Sequence, residues 1–542
     1  MTEPGSIARN SAWMALGTIV SRITGFARLY LLAFTIGTQL DADLFNNANT
    51  LPNTLYILVA GGIFNVVLVP QMVRAMKRDA DGGEAYVNRV MTLGLLVLAV
   101  ATLALLLAVP LILHLVPGGR LFSPGFEHQY ESARLLMWLC MPQVFFYGTF
   151  VLLGQVLNSR GVFGPMMWAP IANNLVAIAT LGSYLAAFGS SDGRDGFSTG
   201  QALVLGVGST LGIATQAALL VPYLRRAGFR FRPRFDFRHT GLGHTLRLGA
   251  WTLGFIVANQ AAYIVVQRLG TTATLHGAAT GERAAGATVY EIGYLASQVP
   301  HGVITVSLAT AVIPALSALA ADDALSELGE QLGRVLRVVL AVIAPLAVAA
   351  SILGPTAIHA VAFGAIRANA YAIGWTVAAF APAMVFFAVH YMMLRGFYAM
   401  ENTRTPFLIQ LAVAGTNVIM ALVLTSLVGP QSVSVALALA FGASYLVGAL
   451  LSATLLPGPA VFGPEMRLFL VRLAIACIGA ALVMLAVLTA LRASGVPADT
   501  PARALGLLAL AGPAGAGTYL LLARVVGLKE LASVVSALRR RS

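Results

Sequence analysis

The chain has 542 residues, of which 58% are hydrophobic and 10% charged, and its mean hydropathy is +0.82. A water-soluble domain carries about a quarter charged residues, so composition excludes that class. Apolar runs of about twenty residues recur along the whole length, the span a bilayer core requires, and they are continuous rather than alternating, which also excludes a transmembrane β-barrel.

Fourteen membrane helices are predicted, at 11–38, 46–73, 86–116, 131–157, 163–187, 198–223, 244–270, 286–318, 331–353, 370–399, 405–428, 433–456, 466–492 and 503–526. The first run continues past Arg22 and Arg28 without a small-residue cleavage site, so no cleavable signal peptide is expected. The basic residues alternate between loops. Arg74, Lys77, Arg78 and Arg89, then Arg160, then Arg225, Arg226, Arg230, Arg232, Arg234 and Arg238 fall on one side. Arg334, Arg337, Arg404 and Arg467 and the tail residues Lys529, Arg539, Arg540 and Arg541 continue the series. Roughly three quarters of all Lys and Arg lie on that side, which predicts cytoplasmic termini and an even helix count. The net charge of +13 therefore points to anionic phospholipids at the cytoplasmic face and not to nucleic acid.

An internal echo divides the chain. Asn158-Ser159-Arg160 follows the fourth helix and Asn402-Thr403-Arg404 the tenth, trailed by Pro165 and Pro406 and then by Asn173 and Asn417. The same offset carries Pro70 onto Pro314. The predicted fold is thus an all-α polytopic membrane protein with two parallel six-helix lobes around a central cavity, plus two C-terminal helices. The lobes are assigned to 1–223 and 244–456, a basic cytoplasmic linker to 224–247, and the last two helices and tail to 457–542.

Few charges lie inside the helices. Arg22 and Arg28 sit in the first, at an insertion cost of roughly 2.5–3.5 kcal/mol for a central arginine, so each needs a partner or a water-filled cavity. Glu291, in the eighth, is the deep acid; Asp41 and Asp43 stand at the outer mouth after the first helix. One reading is an Arg–Glu pair bridging two helices, or Arg28 snorkelling to a headgroup. The other is that two guanidiniums face a cavity and grip an anion, since their planar forks match phosphate oxygens bidentately. Gly25 between the arginines and Gly61 and Gly62 in the second helix permit close packing or act as hinges. Pro52, Pro142, Pro165, Pro170, Pro300 and Pro406 start or kink helices, which is ordinary in membranes.

No catalytic template is present. The chain lacks a Gly-rich P-loop, an HExxH motif and a paired intramembrane Asp, and His301 and His390 have no second ligand at i+4. Cys140 and Cys477 give neither a disulfide framework nor metal spacing. A transporter without catalytic site, metal or cofactor is expected, with coupling to sodium, protons or the membrane potential left open.

The segment Ser21-Arg22-Ile23-Thr24-Gly25-Phe26-Ala27-Arg28 resembles the SR-x-x-GFAR signature of the MurJ/MviN lipid II flippase family. Asp43, Leu51-Pro52-Asn53 and Val69-Pro70 continue the resemblance, as do Leu157-Asn158, Phe163, Pro170-x-x-Asn173, Pro300-x-Gly302-Val303, Thr310, Pro314 and Gly396-Phe397-Tyr398-Ala399 with Thr403-Arg404-Thr405-Pro406. The style of the sequence is similar to actinobacterial members. The resemblance implies the fold of the MOP exporter superfamily, alternating access, and a substrate in which undecaprenyl diphosphate carries a disaccharide-pentapeptide. It also implies partners among the machinery of cell-wall synthesis and division.

By position, the resemblance makes Arg22, Arg28, Asp43 and Asn53 substrate-binding residues. Leu295 stands where the family's usual eighth-helix arginine falls, Gln298 where its acid falls, and Tyr56 at a basic position of the second helix. Glu291, Tyr294 and Gln298, three and four residues apart, share a helical face and are the expected replacement site. Two alternatives stay open: another exporter of the superfamily (a polysaccharide-lipid flippase or a drug/cation antiporter), and a non-transporting scaffold for cell-wall enzymes.

Overall fold

In lipid no water satisfies the backbone, so continuous apolar runs must close their hydrogen bonds within each segment. The computed structural model describes residues 4–57, 83–116, 119–236, 242–457, 461–494 and 500–530, and among the described residues there is no strand. The helices are α1 Pro4–Ile36, α2 Leu40–Tyr56, α3 Glu84–Leu107, α4 Glu127–Ser159, α5 Gly164–Phe188, α6 Thr199–Arg226 and α7 Leu242–Thr280. They continue as α8 Ala287–Ala321, α9 Leu325–Val361, α10 Ala370–Ala399, α11 Arg404–Ser426, α12 Val433–Leu455, α13 Pro464–Ala493 and α14 Pro501–Val525. Twelve of the described helices, α3 to α14, are long and apolar enough to cross a membrane. The expected continuation of α2 through Gly61, Gly62 and Pro70, part of the basic linker, and the arginines of the tail lie outside the described residues.

Several boundaries differ from expectation for local reasons. The third helix stops at Leu107 and a short helix, Val109–Leu115, restarts with Pro110 in its first turn, where a missing N–H costs nothing. α7 runs ten residues past 270 and ends where Gly281 adopts φ +74°, a left-handed stop that suits glycine. α9 runs past 353 because Pro355 is carried inside it, as Pro345 is within the expected range. In α8 the segment after Pro300 widens into a π turn, His301–Thr305, before the α-helix resumes at Val306.

The chain forms two compact units, Met1–Gln260 with Ala278–Thr280, and Ala261–Gly277 with Gly281–Ser542. Within the first, α4 packs against α2, α3 and α6, and α6 against α5. Within the second, α10 packs against α8, α9 and α12, and α12 against α11. Four helix pairings thus recur six helices later. The last two helices belong to the second unit, packed on each other and on α9. The Tyr519 hydroxyl donates to the Ala341 carbonyl at 2.6 Å, and Arg337 pairs with Glu465 at 3.4 Å and Glu530 at 3.2 Å.

Candidate substrate-binding site

The signature segment lies within α1, which is helical without interruption through Gly25. Asn174 of α5 clamps it, its amide donating to the Ser21 carbonyl at 3.0 Å and to the Thr24 hydroxyl at 2.9 Å. A Cβ on Gly25 would meet that amide at 3.5 Å, an ordinary contact, so Gly25 permits the close approach of two helices. Arg22 belongs to an exposed face with Ile23 and Phe26, while Arg28 is half-buried. Six residues along a helix separate the two by about 9 Å of rise and about 120° of rotation, so they leave α1 in different directions.

Around Arg28 the first unit supplies polar groups instead of a carboxylate. Tyr147 of α4 lies within electrostatic reach of the guanidinium, and its ring stacks on Tyr56 of α2 at 6.2 Å. The buried Tyr56 hydroxyl and the half-buried Asn53 side chain make no hydrogen bond among the described residues. Neither Arg22 nor Arg28 forms an ion pair among the described residues. The Arg28 guanidinium thus has hydroxyl-bearing rings and no carboxylate around it among the described residues, surroundings that leave its donors available to an oxyanion.

Asp41 and Asp43 are built into the start of α2. Asp43 is fully buried in its first turn, where the helix dipole favours a carboxylate. The Asp41 carboxylate accepts from the Gly196 N–H at 2.7 Å, and its own N–H donates to the Gly193 carbonyl at 3.3 Å, fastening the loop 189–198. That loop also explains Gly37, whose φ of +72° and contact with Asp192 leave no room for a side chain.

Burial pushes the Asp41 carboxyl from 3.8 to about 6, with Asp195 and Asp192 adding to the rise and the Gly196 bond and His128 opposing it. An acid whose folded value is raised contributes most when protonated, so its contribution is lost as pH rises through about 6. Hydrogen exchange in residues 190–198 is therefore expected to accelerate, beyond its intrinsic pH dependence, between about pH 4 and about pH 7, and to show no further excess above that. Asp41→Asn, which keeps the acceptor oxygen and loses the charge, is expected to remove that acceleration; equal acceleration in both proteins rules Asp41 out as its source.

In the second unit the three residues on the expected face of α8 go to different surroundings. Glu291 accepts from the Tyr263 hydroxyl at 2.6 Å and from the Gln267 amide at 2.7 Å, both on α7. Tyr294 joins an aromatic cluster, stacked on Tyr290 at 6.4 Å and edge-on to Phe441 at 5.6 Å. Gln298 is half-buried with no side-chain hydrogen bond among the described residues, and Leu295 is partly exposed. His301, in the π turn below Pro300, packs between Phe387 at 4.4 Å and Tyr391 at 4.9 Å.

A residue that the sequence reasoning missed is Arg395 of α10. Its guanidinium lies 4.1 Å over the Tyr391 ring and 5.9 Å from that of Tyr398, and its buried Nε has no hydrogen-bond partner among the described residues. The signal was present as tyrosines at i−4 and i+3, the spacing that brings side chains together on a helix.

The profile of the family described as lipid II flippase MurJ matches residues 32–505. The chain belongs to the lipid II flippase MurJ family. It is a multi-pass membrane protein, and the matched stretch begins just after Arg22 and Arg28. Its relatives include a protein of Haemophilus influenzae named probable lipid II flippase MurJ, 26% identical over 409 residues, or 72% of this chain and 75% of the relative. A Rhizobium meliloti protein of the same name is 26% identical over 427 residues, 77% of this chain and 75% of the relative. Among solved structures, a lipid II flippase MurJ in an inward closed conformation shares the fold with a TM-score of 0.70 at 18% identity, covering 94% of this chain and 98% of that one. An inward-facing multidrug transporter of the MATE family, in the MOP superfamily, gives 0.61 at 12% identity, covering 82% and 94%.

Proposed function

We propose that the protein moves lipid II, a lipid-linked diphosphate carrying a disaccharide-pentapeptide, from the cytoplasmic to the outer leaflet of the bacterial inner membrane. Its termini lie in the cytoplasm and it works by alternating access between its two six-helix lobes. The observation that carries the reading is the pair Arg22 and Arg28 on α1, two guanidiniums without an ion pair among the described residues, with Tyr147 in electrostatic reach of Arg28 and Tyr56 stacked on Tyr147. A diphosphate leaving water for a cavity loses hydration, and charge-assisted bonds from these arginines offset that loss. Glu291, already accepting two hydrogen bonds from α7, serves to hold helices together rather than to carry a coupling ion.

Outward movement of about two negative charges is favoured by roughly 2.3 kcal/mol per charge per 100 mV of inside-negative potential, so no nucleotide site is needed. The test is depletion of the protein followed by measurement of lipid II in each leaflet. Lipid II is expected to accumulate in the inner leaflet and fall in the outer one. An unchanged distribution refutes transport and leaves a scaffold.

A further inference from the structure

The second unit holds a cavity of about 380 Å³ where the starts of α10 and α12 meet the segment before α8. On the charge map of the sequence this is the face away from the cytoplasm. Its floor is tied together by three bonds. The Asn369 amide donates to the Ala284 carbonyl at 3.2 Å, the Ala285 N–H to the Pro430 carbonyl at 3.0 Å, and the Ser434 N–H to the Ala285 carbonyl at 2.9 Å. Such a floor exists before any ligand arrives, so little ordering is required on binding.

The walls are aromatic and polar together. Tyr371 and Trp375, one helical turn apart on α10, stand 6.0 Å from each other, edge to face, and are 66% and 45% exposed. Arg283, Gln431 and Ser432 line the same cavity. The Tyr371 hydroxyl, the Trp375 indole N–H and the side chains of Gln431 and Ser432 have no hydrogen-bond partner among the described residues. An interfacial belt accounts for a Trp and a Tyr near a membrane surface. It does not account for both rings turning onto one concavity shared with a guanidinium, an amide and a hydroxyl.

The first unit provides a contrast. Its cavity of about 490 Å³, between the starts of α4 and α6, also holds a tryptophan, Trp138. There Arg134 is already paired with Glu131 at 2.5 Å and lies over the Tyr130 ring at 5.9 Å.

We propose that the cavity of Tyr371, Trp375, Arg283, Gln431 and Ser432 binds a pyranose saccharide bearing hydroxyl and acetamido groups. The apolar face of a pyranose ring lies on Trp375 and Tyr371, while its hydroxyl and amide oxygens take donors from the indole, the phenol, Gln431 and Arg283. The inference deepens the proposed function, whose substrate carries a saccharide, but its test does not require transport.

The test is saturation-transfer NMR on the full chain in lipid nanodiscs, with N,N′-diacetylchitobiose as the probe. Wild type is expected to transfer saturation to the acetamido methyls and ring protons. Trp375→Ala and Tyr371→Ala are expected to weaken binding by about tenfold, and Trp375→Phe, which keeps an aromatic face, by less. Trp138→Ala is expected to change nothing. Should the aromatic variants fail to fold, the exposed Gln431→Ala and Ser432→Ala carry the test, with a loss of about threefold each. No transfer from wild type, no loss in the folded variants, or equal loss in Trp138→Ala overturns the site. Saccharide binding without transport in wild type instead refutes the flippase reading and leaves the site standing.

Discussion

Arg28→Ala is expected to abolish transport at normal protein abundance, and Arg28→Lys to retain a reduced activity. The half-buried guanidinium has Tyr147 and, beyond it, Tyr56 as neighbours, and no ion pair among the described residues. Its removal therefore breaks no bridge that holds helices together, and loss of a membrane charge favours insertion. What is lost is ligand binding. Each hydrogen bond to a charged group contributes about 1.5–3 kcal/mol, so a bidentate contact to a phosphate carries a factor of about a hundred or more. Lysine keeps the charge and loses the fork, which places it between alanine and wild type. The measurement is complementation of a depleted strain, with protein levels followed in parallel and lipid II assayed in each leaflet. Normal growth of both Arg22→Ala and Arg28→Ala at normal abundance sinks anion binding by these residues. The function then rests on family membership alone.

The contrast between what the sequence announced and what it hid follows from the range of the interactions. The apolar runs and the alternation of arginines are local or cumulative signals, and they placed the helices to within a few residues except where proline or glycine acts. Pro110 restarts a helix, Pro345 and Pro355 are absorbed by α9, and Gly281 stops α7 later than its apolar content implied. Asn402, picked out by its echo of Asn158, caps the start of α11 by accepting from the Thr405 N–H at 3.0 Å. The sites were harder. As the deep acid, Glu291 is read from the sequence either as the partner of an arginine or as part of a polar site with Tyr294 and Gln298, whereas Tyr263 and Gln267 bind it from another helix. No spacing within α8 reveals them, although their own separation of four residues places both on one face of α7. Arg395 escaped notice inside an apolar run because its neighbours are rings and not acids. The cavity near Trp375 joins segments about 60–150 residues apart, which only chain topology brings together.

Glu291→Leu is expected to lower the abundance of the folded protein several-fold, whereas Glu291→Gln is expected to leave it near normal. One carboxylate oxygen accepts from both the Tyr263 hydroxyl and the Gln267 amide, joining α7 to α8 within the second unit. Leucine fills similar space but accepts nothing. It strands two buried donors at a cost of about 1–3 kcal/mol each, a large share of the stability of an ordinary domain. Changes of that size alter steady-state levels through quality control. Glutamine supplies a carbonyl oxygen at the same position and keeps both bonds, so the comparison separates hydrogen bonding from charge. Equal loss in the two variants shows that the negative charge itself is required, and a cationic partner then replaces the tyrosine–glutamine contact as the explanation. Normal abundance in both shows that the α7–α8 contact adds little to stability. Transport measured in the glutamine variant supplies the last discrimination: activity near wild type fits a fastener, and loss of activity in a well-folded Glu291→Gln protein returns the carboxylate to the transport cycle.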